Sequence, residues 1–190
     1  FGLYYIADRK LLKLGLLDDV EAYKASYYSY ILNGLMTQLV RIKPGDKIEE
    51  AHMRNRALIA NWCYEKGKEN KVIEFFVKDN KTFIRINDYV ALRKLFAILL
   101  AEIQRIKSEG DYEAAKRIVE DYAVNIDEKL HEEVLIRYSK LNLAPYKGFI
   151  NPILKPRFDK NGEIQDVDID YTETYDDQML RYSKDYASLI

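Results

Sequence analysis

The chain has 190 residues, 48% of them hydrophobic, and sets 30 basic against 31 acidic side chains for a formal net charge of −1. That length and composition can bury a core without staples, and the charge balance leaves no basic excess to hold a phosphate backbone, which excludes nucleic acid as a partner. The single cysteine, Cys63, excludes an internal disulfide and a multi-cysteine metal site and fits a reducing compartment, the cytoplasm; no apolar run reaches the roughly 18 residues of a membrane span, so no membrane partner is expected.

The opening "FGLYYIADRK" lies inside a helical pattern, which predicts a helix from Phe1 to about Leu14 ending near Gly15, and a chain excised from a longer one. "LDDVEAYKASYYSYILNGLMTQLV" predicts a second, long helix capped by Asp18 or Asp19. Tyr23, Tyr27, Tyr30 and Gly34 share one side of it, as core aromatics with a close-approach glycine would. Pro44-Gly45 breaks the chain, Asp46 is placed to cap, and a third helix runs to Gly67. "VIEFFVKDNKTFIRIND" turns β-branched and aromatic around Lys78-Asp79-Asn80, predicting a hairpin at about 72–86 that must lie on the helices. Helices follow from Asp88 to Gly110, after Asp111, and from about Asp127 to Lys140. Prolines 145, 152 and 156 then mark a crossing, followed by a hairpin on Asn161-Gly162 and a terminal helix. The pattern is mainly α with small β-hairpins, an α+β chain, divided into 1–146 and 147–190.

Few residues carry chemistry. In "EEAHMRNRALIANW" the helical period puts His52, Arg56, Ile59 and Cys63 within roughly 60° of one another, which predicts that His52 and Arg56 point inward. A buried arginine costs several kcal/mol unless paired, so the two imply a partner carboxylate or a cleft. His131-Glu132 is the one His-Glu dipeptide, but Leu135 and Ile136 stand where a second histidine would complete a zinc motif, so it reads as a solvated, acid-rich first helical turn. There is no phosphate-binding glycine loop and no serine nucleophile elbow, and no metal ligands are assigned in this chain.

Three stretches, "EEAHMRNR", "IKSEGDYEAAKRIVEDYA" and "LAPYKGFINPILKPRF", together resemble the dipeptidyl peptidase III family of zinc metallopeptidases, the bacterial members most, over the C-terminal third of those proteins. The first is similar to the family's His-Met-x-x-Arg helix, the second to its helix-Gly-Asp-helix turn, the third to its crossing between two lobes. The resemblance implies a two-lobed enzyme that removes dipeptides from the N-termini of short peptides. Residues 1–146 would belong to the helical catalytic lobe and 147–190 would cross to the second lobe. It implies zinc in the full-length parent, held by HExxGH and EExxAD helices that precede these residues, and none in this chain, whose partner would be that missing N-terminal portion. His52 would then contact bound peptide and stabilise the tetrahedral intermediate, supported by Arg56. The basic residue that meets the peptide carboxylate would be Lys147, with Arg157 the other candidate. A helical protein–protein or peptide-binding module without catalysis is the alternative.

Overall fold

In a computed structural model the described residues, 2–8, 10–17, 19, 21–143 and 149–187, form eight α-helices, one 3-10 helix and two antiparallel hairpins. The chain is mainly α with small β-hairpins. It divides into two compact units, Phe1–Asn142 and Leu143–Ile190. No helix among the described residues is long and apolar enough to cross a membrane. The boundary expected between 146 and 147 lies outside the described residues, as does Asp18.

The first unit opens with two single turns, α1 (Gly2–Tyr5) and α2 (Lys10–Lys13), where one continuous helix is expected. Asp8 breaks the run: its carboxylate accepts the Lys10 N–H at 2.9 Å, a local bond that competes with the helical ladder. α3 (Ala22–Leu35) begins later than either candidate aspartate cap implies, since Asp19 ties only the Glu21 N–H. It also ends sooner. A 3-10 helix, Thr37–Arg41, takes over, and the buried Gln38 amide donates to Gly34 O and Met53 O.

α4 (Ala51–Lys66) is capped by Glu50 rather than Asp46, its two carboxylate oxygens each taking one amide, from His52 and Met53, at 2.8 Å. Gly67 ends it. β1 (Ile73–Lys78) and β2 (Lys81–Ile86) pair around Asp79 and Asn80, both at positive φ, as a tight two-residue hairpin turn requires. α5 (Tyr89–Glu109), α6 (Tyr112–Tyr122) and α7 (Glu128–Ser139) start on Asp88, Asp111 and Asp127, each accepting an amide three residues on. Gly110, left-handed, closes α5.

The core is built on the α3–α4 crossing. Tyr27 is fully buried, edge-on to Tyr23 at 5.1 Å and to Phe96 of α5 at 4.9 Å. Gly34 faces α4 so closely that a β-carbon there would lie 2.5 Å from both Ala60 Cβ and Arg56 O. The hairpin packs on this pair through Ile73 and Ile84, and Leu92, Phe96 and Leu99 of α5 complete the cluster.

The second unit contains β3 (Ile153–Phe158), β4 (Ile164–Asp170) and α8 (Tyr175–Tyr186). Asp159 accepts the Asn161 and Glu163 amides and Gly162 takes a positive φ, which fixes the turn. Pro156 lies inside β3, tolerated because each strand of a lone hairpin is an edge. Gln178 on α8 accepts the Asn151 N–H and donates to Phe149 O.

Gly34→Ala tests the crossing. We expect it to lower unfolding stability by about 3 kcal/mol, at the upper end of overpacking costs, because the obstructing atoms include backbone. Gly110→Ala, with open space around it, should cost only about 1 kcal/mol through its positive φ. Urea unfolding of both variants decides this, and an equal loss from the two would remove the close crossing as the organising contact.

Candidate functional site

His52 and Arg56 lie on the first turns of α4, and the structure corrects the expectation that both point inward. His52 is exposed and Arg56 half-buried, whereas Cys63, on the same side, is fully buried. The angular reading is sound, but it ignores depth: eleven residues span roughly 16 Å of helix axis, and the packing covers only the distal part. The face therefore grades from solvent at His52 to core at Cys63.

Around this turn sit Tyr30 and Asn55, whose amide donates to the Tyr30 hydroxyl at 3.1 Å. Burial raises the Tyr30 phenol above its ordinary pKa, against the opposing pull of the Arg56 charge and the Asn55 bond. Glu50 is held below the usual carboxylate range, first by the His52 backbone amide, then by that of Met53, with smaller help from the His52 and Arg56 charges. Among the described residues, neither the His52 imidazole nor the Arg56 guanidinium makes a hydrogen bond or ion pair. Together they present hydrogen-bond donors without acceptors of their own, which suits a carboxylate or a peptide carbonyl.

Lys147 lies outside the described residues. Arg157 is in the second unit, on β3, where it pairs with Asp166 and with Asp168 at 3.6 Å, so its charge is already answered across the hairpin.

His131 departs from its sequence reading. It is 4% exposed, and its Nε2 lies 3.1 Å from both Leu39 O and Ile42 O, so the ring donates to the two carbonyls at the end of the 3-10 helix. Glu132 beside it is exposed, as expected of that turn. The signal was in the spacing: Leu130, His131, Val134 and Leu135 make an apolar stripe at helical period, and His131 belongs to it.

Two residues after His131, Glu133 accepts the Thr82 amide at 2.7 Å, the Thr82 hydroxyl at 2.6 Å and Arg137 at 3.1 Å, which fastens α7 to β2. Nothing in the sequence marks this contact, whose partners are 51 residues apart. Glu133 and Thr82 also border a cavity of about 430 Å³ walled by Leu35, Leu39, Phe75 and Leu130. His52 and Arg56 are not among its walls.

No three His, Cys, Asp or Glu side chains converge among the described residues, and one of the two histidines is committed to backbone carbonyls. No family model matches the chain, and no curated protein matches it either.

Glu133 offers a test by pH. Burial raises its carboxyl, but the Thr82 and Arg137 bonds outweigh that and hold it below its ordinary value of 4.5. A lowered folded-state pKa stabilises above the unfolded value and loses that contribution as pH falls through the folded one. The stability advantage of the wild type over Glu133→Gln should thus be full at neutral pH and shrink below pH 4.5. Chemical unfolding across that range measures it; an advantage independent of pH would show that Glu133 acts only by packing.

Proposed function

We propose that this chain is the C-terminal portion of a zinc-dependent dipeptidyl peptidase, which releases dipeptides from the N-termini of short peptides, and that it supplies groups which bind substrate and stabilise the transition state. The observation that carries the reading is Arg56: a half-buried guanidinium with no acceptor of its own among the described residues, one turn below an exposed histidine. A peptide carboxylate or carbonyl arriving from outside would pair with it. His-Met-x-x-Arg, the spacing of His52 to Arg56, supports the reading through its likeness to the dipeptidyl peptidase III family.

In this reading the zinc ligands and the general-base glutamate come from polypeptide preceding Phe1, and the compartment is the cytoplasm. His52, on the exposed turn, donates toward the oxygen that becomes negative as the peptide carbonyl turns tetrahedral. One such donor is worth about 3 kcal/mol in the transition state. Arg56 holds the neighbouring part of the peptide, and Lys147 is the first candidate for its carboxylate end. A helical module that binds peptide without catalysis, in a groove supplied by the Tyr-rich α3 and the α5–α6 hairpin, is the alternative, and differs in needing no zinc motifs upstream.

Two measurements test the proposal. The isolated chain, dialysed and analysed for metal, should retain no stoichiometric zinc and cleave no dipeptidyl substrate; one tightly held zinc per chain would contradict it. In an active polypeptide containing these residues, His52→Ala should lower kcat by about 10²-fold while KM changes far less. An unchanged kcat would remove His52 from the chemistry.

A further inference from the structure

The second hairpin has one face that none of the described residues of its own unit covers. The register sets Leu154 opposite Ile169, Pro156 opposite Val167 and Phe158 opposite Ile164, and directly opposed residues project to the same side. That side is apolar throughout. The other side sets Lys155 opposite Asp168 and Arg157 opposite Asp166, with Lys155 also 2.7 Å from Asp170, so its charges are matched within the hairpin. Leu154, Phe158, Ile164 and Ile169 are each more than half exposed. Among the described residues of this unit only Gln178 is buried, and it is polar. A two-stranded sheet is marginal in water until its apolar face is covered, and a unit of this size without a core needs a partner.

We infer that in the 190-residue chain by itself a second copy covers the face, the two hairpins packing against each other about a two-fold axis. The charge pattern selects this occupant. The face is self-complementary, because two copies meeting there bury six apolar side chains each and no charge. Pairing through the strand edges is opposed. Two β4 edges would bring Asp166, Asp168 and Asp170 against their own copies, and the β3 edge sets Lys155 and Arg157 against theirs with an N–H missing at Pro156. At roughly 60–120 Å² of apolar surface per buried aliphatic or aromatic side chain, six of them bury about 360–720 Å² per copy, short of the ~800 Å² per partner of a standard interface and the size of a weak, concentration-dependent dimer.

Sedimentation equilibrium of the full 190-residue chain tests the inference. The wild type should move from monomer to dimer as concentration rises toward ~100 μM, and Val167→Lys, which places a charge at the centre of the face, should weaken association at least about tenfold. Asp168→Asn, on the opposite side, should leave it unchanged. Because Val167→Lys can also disturb the hairpin itself, amide exchange of the wild type gives a second reading: residues 153–170 should exchange more slowly at high concentration than at low. A chain that stays monomeric throughout, or a dimer that Val167→Lys leaves intact, would overturn the inference. So would protection of 153–170 that does not depend on concentration, since the face would then be covered by a monomer's own residues.

Discussion

A missing β-carbon at Gly34 sets the layout of the helical unit. Because α3 can approach α4 until Arg56 O and Ala60 Cβ come within 2.5 Å of where that carbon would stand, the small residues of α4 are driven into the interior. Ala57, Ala60 and Cys63 reach zero exposure. With α4 that deep, the hairpin, α5 and α6 can all pack around it, and the Arg54 and Asn61 side chains are satisfied by the Ile48 and Tyr122 carbonyls. On the first turn of α4 the same packing buries Met53 and leaves His52 exposed. His52 therefore stands on a backbone held by the core, with its imidazole exposed.

The two units are held by different physics. The first buries aromatic and aliphatic side chains from α3, the 3-10 helix, α4, α5, α7 and its hairpin in one main cluster. The second relies on polar contacts: the Gln178 bonds to Phe149 and Asn151, the Glu173–Arg181 pair at 2.7 Å, and cross-strand ion pairs that are more than half exposed on their basic side. Exposed pairs contribute at most about 1 kcal/mol each. Such a unit keeps its register through the alternation of apolar and charged faces, and gains stability only when the apolar side is covered.

What was legible in the sequence was what local chemistry decides. Asp88, Asp111 and Asp127 are caps, Gly110 is a left-handed stop, and the Asp79-Asn80 and Asn161-Gly162 turns sit where their residue types put them. The failures have a common cause in competition or in distance. Asp8 broke a helix that periodicity alone would continue, and Glu50 displaced Asp46 because only Glu50 directly precedes the helical turn it caps. Azimuth without depth misplaced His52, and a dipeptide read without its helical stripe misplaced His131. The Thr82–Glu133 and His131–Leu39 contacts join residues far apart in the chain, and no single segment announces them.

The central claim is that the first turn of α4 meets a peptide. Two-dimensional NMR of the 190-residue chain, titrated with tetraalanine as a short peptide bearing a free carboxylate, tests it most directly. The account predicts saturable shifts confined to His52, Asn55, Arg56 and Tyr30, and their loss in His52→Ala and Arg56→Ala. Shifts that gather instead at the cavity beside Glu133, or none at these four residues, would contradict it.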